Sequence, residues 1–145
     1  MKNIFSLWQF WAILSAVFAA FTAIFAKIGV KEINSDFATF IRTIVILIVL
    51  GAILFATDQY QSVRTIPNKS LLFLILSGLA TGGSWICYFR ALKIGNASQV
   101  APIDKLSVVL VAIFGVIFLG ERLSSVDWLG IFLIASGAIL IALRL

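Results

Sequence analysis

Apolar residues fall in five long blocks, at about 6–26, 37–57, 70–92, 99–120 and 126–143, separated by short polar punctuation. A bilayer core of ~30 Å takes ~20 consecutive apolar residues as an α-helix, so each block is predicted to cross the membrane. Lys27, Lys31, Glu32 and Asp36 mark the first loop, and the stretch from Asp58 to Lys69, with Arg64 and Pro67, is the longest polar segment. Lys93-Ile-Gly-Asn-Ala-Ser98 and Glu121-Arg-Leu-Ser-Ser125 read as tight turns. Ser98 is the expected N-cap of the fourth span. Ser124, with Asp127 three residues on, has the form of a capping box with Asp in place of Glu. The expected fold class is all-α, an integral membrane bundle of five transmembrane helices, with residues 1–145 forming one membrane domain.

Composition agrees. The 145 residues are 62% hydrophobic and 12% charged, where a soluble domain is about half apolar and about a quarter charged. Five spans use about 100 residues, which leaves short loops and no room for a soluble catalytic domain. The net charge of +5 comes mostly from Lys and Arg flanking apolar runs, where they meet lipid headgroups, so nucleic acid is not an expected partner. With no histidine and a single cysteine, Cys87, an intrachain disulfide and a Cys/His zinc site are excluded. Cys87 is expected to be a small packing residue. The apolar run from Ile4 to Ala26 exceeds a signal peptide's h-region and is read as a retained span. Trp8 and Trp11 near its start suit the interface.

Small residues recur at helical spacing: Ala12, Ala16 and Ala20; Ser15, Ala19 and Ala23; Gly78 and Gly82; Ala138 and Ala142. They let helix backbones approach in lipid, and bundle packing accounts for them.

The informative residues are the charges inside spans. Arg42 is about five residues into the second span, ~8 Å at 1.5 Å per residue, and Asp104 and Lys105 lie at a similar depth in the fourth. Arg42 and Lys105 are long enough to snorkel; Asp104 is not. Two spans separate the first and third loops, so Arg42, Asp104, Lys105 and Arg90 share one leaflet, with Trp85 and Tyr88. Neighbours on a helix do not face each other, so Lys105 is expected to be a poor partner for Asp104, and Arg42 the better one. Two readings follow. In the first, Arg42 and Asp104 neutralise each other and fix helix packing, Lys105 reaches headgroups, and Trp85 and Tyr88 are interface aromatics. In the second, Arg42, Trp85, Tyr88, Asp104 and Lys105 line a polar, substrate-binding cavity. Pro102 lies at the limit of the first helical turn, where proline is tolerated, and predicts an irregular turn beside Asp104, acceptable where backbone is buried in protein or lines a cavity.

Trp11 with Ala12, Phe40-Ile-Arg42, Tyr88-Phe-Arg-Ala-Leu92 leading to Ala97-Ser-Gln-Val-Ala-Pro102, Phe118-Leu-Gly-Glu-Arg122, Trp128-Leu-Gly130 and Gly137 follow one another in an order and spacing that resemble one EamA domain of the drug/metabolite transporter superfamily. Asp104-Lys105-Leu-Ser107 resembles its short, five-span bacterial and archaeal branch. Most members have ten spans in two inverted five-span repeats around a central cavity. The resemblance therefore implies half of an inverted-repeat transporter for a small metabolite or drug-like solute. It implies alternating access by an antiparallel dimer, either a homodimer or a pair with a paralogous five-span partner, in a bacterial or archaeal plasma (inner) membrane. Lys2, Arg64, Lys69 and Arg122 on one face nearly balance Lys27, Lys31, Arg90, Lys93 and Arg144 on the other, which gives little orienting force. Counting Arg42 and Lys105 with the second set favours a cytoplasmic first loop and C-terminus. The small multidrug transporters carry an acidic residue in their first span; this first span has none, so their proton-coupled export of organic cations is not expected. The excess of bases in the cavity leans toward anionic or zwitterionic solutes. The alternative function is a non-transporting membrane subunit for assembly or regulation. No nucleophile–base or metal set is visible, so no enzyme activity, catalytic residue, metal or cofactor is expected. Glu121, at the end of the fourth span, is a further candidate, and its plainer reading is a loop-end charge near Arg122.

Overall fold

The computed structural model describes residues 7–143; the expectations for Ser6, Ile4, Lys2 and Arg144 lie outside them. Among the described residues the secondary structure is helical: α1 (Trp8–Gly29), α2 (Ser35–Ala56), a single 3₁₀ turn at Val63–Thr65, α3 (Asn68–Ile94), α4 (Ala97–Asp104), α5 (Ser107–Leu119) and α6 (Ser125–Ala142). Five stretches are long and apolar enough to cross a membrane: α1, α2, α3, Ala97–Leu119 taken as one, and α6. The chain is an all-α, five-span membrane protein.

The helix ends follow local chemistry. α1 extends past the apolar block to keep Lys27 in its last turn, where a cation suits the helix C-terminus. Asn34 caps α2, its Oδ1 accepting from the N–H groups of Asp36 and Phe37 at 2.8 and 3.2 Å. α3 takes in Asn68, Lys69 and Lys93 beyond its apolar block; Pro67, whose fixed φ suits a helix start, precedes it, and the Leu71 N–H bonds to the Pro67 carbonyl at 3.0 Å. The capping box of α6 is present as expected: the Ser124 hydroxyl accepts from the Asp127 N–H at 3.2 Å and the Asp127 carboxylate accepts from the Ser124 N–H at 2.8 Å. Ser98 is not the N-cap of the fourth span. Asn96, in extended conformation, holds that position, and Ser98 falls inside the first turn.

Five hydroxyls within the spans bond to the preceding turn. Thr22, Thr39, Thr43, Thr81 and Ser136 donate to the carbonyls of Phe18, Ser35, Thr39, Ser77 and Phe132 at 2.8–2.9 Å. A polar group in lipid is costly without such a partner.

The chain divides into two compact units: Phe25–Ile94, and the residues up to Ile24 together with Gly95 onward. In the first, α2 packs on α3, and the buried residues Val30, Ala38, Thr39, Phe89 and Leu92 gather toward the start of α2 and the end of α3. In the second, α4 and α5 pack on α6, and Ala112, Gly115 and Ala138 are buried. In every span at most 11% of the apolar window is buried within the chain, so the remaining apolar surface meets lipid or other protein. Cys87 belongs to that surface: it is exposed, not the packing residue expected from its apolar surroundings. Likewise, among the described residues nothing lies within 4 Å of where a Cβ would sit on Gly78 or Gly82.

The fourth span is broken. α4 ends at Asp104, two residues of turn follow, and α5 starts at Ser107. From Lys105 to Val109 the backbone uses the tighter i→i−3 pattern: Lys105 N–H to Pro102 O at 3.1 Å, and Leu106 to Ile103, Val108 to Lys105 and Val109 to Leu106, each at 3.0 Å. Pro102 sits inside α4 and has no N–H to offer the Ser98 carbonyl; α4 ends two residues after it. This is the irregular turn expected beside Asp104.

Candidate functional site

Five residues were expected to line a site. Three of them, Arg42, Trp85 and Tyr88, lie in the Phe25–Ile94 unit and come together there. Arg42 is one turn beyond the buried Ala38 and Thr39 on α2, and its guanidinium carbon lies 3.3 Å from the centroid of the Trp85 ring on α3, with Phe89 at 5.9 Å. Trp85 meets Tyr88 edge-to-face at 5.5 Å and Phe89 at 5.9 Å. The side chains at 85, 88 and 89 share a face of α3 because three- and four-residue steps return to it. Arg42, Trp85 and Tyr88 are half-buried and Phe89 is buried. A guanidinium flat on a Trp face is worth about 1–2 kcal/mol, rising as water is excluded.

Asp104 and Lys105 belong to the other unit. They contact each other at the end of α4, Lys105 Nζ to Asp104 Oδ2 at 3.6 Å, a loose pair as expected of helix neighbours. At 3.6 Å the pair is an ionic contact outside hydrogen-bond range. The expected Arg42–Asp104 pair joins residues of different units; within their own units, Arg42 rests on aromatic rings and Asp104 on Lys105.

Sequence reasoning missed the tightest ion pair. Arg90 holds Asp36 through two bonds, Nε to Oδ1 at 2.9 Å and Nη2 to Oδ2 at 2.6 Å, the fork geometry that makes Arg–carboxylate pairs specific. Beside it the Lys93 ammonium donates to the Ile33 carbonyl, and the Lys27 ammonium to the Leu92 carbonyl at 2.6 Å. The signal was topological: α2 and α3 are consecutive antiparallel spans, so the first turn of one is level with the last turns of the other. Glu121 is an exposed charge at the loop end, as its plainer reading had it, and its local geometry adds a detail. Gly120 turns left-handed at φ 68°, the N–H groups of Gly120 and Glu121 both bond to the Gly115 carbonyl, and the Glu121 carboxylate folds back over Gly115. Among the described residues no group of three metal-ligating side chains gathers.

Five apolar spans, two of them holding ionisable side chains, define a polytopic helical membrane protein. The chain belongs to the EamA-like transporter family, whose profile matches residues 6–143. It is 65% identical over 135 residues, 93% of this chain and 96% of the other, to a Sinorhizobium protein described as an uncharacterized transporter in the cobO 3' region. It is 33% identical over 132 residues, 90% of this chain and 93% of the other, to an uncharacterized protein of Methanocaldococcus jannaschii. Protein RarD of Salmonella typhimurium is 26% identical over 90 residues, which are 61% of this chain but 31% of that longer protein. No solved structure matches the chain.

Proposed function

We propose that this membrane protein carries a small metabolite or drug-like solute by alternating access, as an antiparallel dimer of two copies or of this chain with a paralogous five-span partner, in the plasma membrane of a bacterium or archaeon. Residues 1–145 act as one EamA-like domain and supply half of the translocation path, with Arg42, Trp85, Tyr88, Asp104 and Lys105 as the solute-facing set. The observation that carries this reading is the Arg42 guanidinium stacked on Trp85 inside a span, because a membrane helix bears the cost of such a charge where it faces protein or a hydrated path. The break in the fourth span beside Asp104 supports it, as irregular backbone at membrane depth lines cavities. Short relatives of nearly the same length, and a longer one matched over about a third of its length, fit a unit that works with a second five-span body.

The test is flux in proteoliposomes containing the purified chain. Solute-dependent flux falls at least about tenfold in Asp104→Asn, the loss of one charged hydrogen-bonding group, and is retained in the exposed control Leu79→Ala. A solute panel that yields no flux above empty liposomes favours the other reading, a non-transporting subunit in which these charges only fix helix packing.

A further inference from the structure

Guanidinium is a planar fork of N–H donors. One face of the Arg42 fork rests on Trp85 at 3.3 Å from the ring centroid. A ring face binds the charge through its quadrupole and consumes no donor, so the N–H edge remains to be matched. The acids of the Phe25–Ile94 unit are Glu32, Asp36 and Asp58. Asp36 is engaged by both arms of Arg90, Glu32 lies in the first loop, and Asp58 follows the opposite end of α2. Among the described residues of this unit, no carboxylate pairs with Arg42. The Lys27 and Lys93 ammonium groups, spent on backbone carbonyls at the same end, add positive potential there and no anion. A half-buried cation with its charge held by rings and its donors unmatched has a defined complement, an oxyanion taken edge-on by two parallel N–H···O bonds.

We infer that Arg42 is the receptor for a carboxylate solute: the fork binds the carboxylate while remaining stacked on Trp85, and the aromatic corner of Trp85 and Tyr88 takes the apolar body to which the carboxylate is attached. The inference rests on the transporter reading and gives it a substrate class, an organic acid with an apolar body. Arg90 contributes indirectly, by occupying the acid on α2 nearest to Arg42 in sequence. A lipid phosphate offers the same oxyanion chemistry, and the experiment separates the two sources.

The probe is benzoate, compared with its uncharged amide, benzamide, and with benzylammonium. Trp85 is made the single reporter by Trp8→Phe, Trp11→Phe and Trp128→Phe, and the protein is placed in phosphatidylcholine vesicles. Benzoate is expected to change Trp85 fluorescence saturably, with a midpoint about tenfold lower than that of benzamide, as a charge-assisted bond requires. Arg42→Gln raises the benzoate midpoint about tenfold, and Arg42→Lys, which keeps the charge and loses the fork, raises it severalfold. Equal midpoints for benzoate and benzamide, tighter binding of benzylammonium, or an Arg42→Lys variant equal to the parent each overturn the inference. A Trp85 response to phosphatidylglycerol in the bilayer without one to benzoate assigns the fork to headgroups and also overturns it. Flux measured in the same vesicles separates the two readings: flux with no preference for benzoate over benzamide sinks this inference and leaves transport standing, and saturable benzoate binding without flux does the reverse.

Discussion

Beside its local caps and hydroxyl bonds, Phe25–Ile94 has polar ties across long stretches of sequence, while the side-chain ties described within Gly95–Leu143 span a few residues. Arg90 reaches Asp36 over 54 residues, Lys93 reaches the Ile33 carbonyl over 60, and Lys27 reaches the Leu92 carbonyl over 65. In the other region Lys105 meets its neighbour Asp104, Ser124 meets Asp127, and Glu121 folds back on Gly115. The long-range ties form only when the end of α1, the first loop and the start of α2 lie against the end of α3, so they report and reinforce a single packing there. Local ties form within a turn or two, whatever the helix packs against. They leave the placement of α4, α5 and α6 to the contacts between the helices, where Ala112 and Ala138 are buried. With its 3₁₀ break at Lys105–Val109, this region is the expected hinge.

The largest effect expected from this contrast belongs to Pro102→Ala. Alanine restores a helical N–H, and proline in a helix interior costs about 3 kcal/mol. The variant gains up to about that much in denaturant titration in mixed micelles, amide exchange across Lys105–Val109 slows, and proteoliposome flux falls. Unchanged exchange at those amides would detach the break from the proline and remove the hinge from the comparison. Next in size is the long-range side. Trp85→Leu removes the ring under Arg42 and destabilises by about 1–2 kcal/mol. A double-mutant cycle with Arg42→Gln yields a coupling of about 1 kcal/mol; additive effects would mean the stack ties nothing together. The Arg90–Asp36 pair is exposed, with side chains 62% and 46% accessible, so despite its geometry Asp36→Asn shifts the melting temperature less than Trp85→Leu. Asn34→Ala comes below Trp85→Leu, at about 1 kcal/mol for a lost N-cap, read as a lowered melting temperature with α3 unaffected.

The same contrast explains what the sequence made legible. Periodic, near-continuous apolar runs announced five spans, because a bilayer imposes their length. The capping box at Ser124 and the irregularity around Pro102 were legible because both depend on residues within a turn of each other. Arg42, Trp85 and Tyr88 were legible as one group because counting spans places them in one leaflet. The Arg90–Asp36 fork was not, since leaflet alone does not say which of several cations an acid faces; that depends on the rotation of α2 and α3 about their own axes. The Asp104–Lys105 pair was expected to be poor, and at 3.6 Å it is an ionic contact without a hydrogen bond. Glu121 over Gly115 was hidden because the left-handed turn at Gly120 reverses the direction in which the carboxylate leaves the helix.

That last feature gives the smallest expected effect and the closest test of the local side. A Cβ at position 115 would lie 2.6 Å from Glu121 Oε2 and 3.2 Å from its Cδ, which no real Cβ tolerates without movement. The obstacle is the far end of a flexible, exposed side chain, and swinging it away costs little. Alanine in place of glycine also returns about 1 kcal/mol of helix propensity. Gly115→Ala is therefore expected to leave the melting temperature in detergent within the equivalent of about 1 kcal/mol of the parent, and Glu121→Gln in the Gly115→Ala background adds nothing further. A loss well beyond that would mean the carboxylate over Gly115 holds α5 in place as the Arg90 fork ties α2 to α3, and the division between locally tied and distantly tied regions would fail at Gly115.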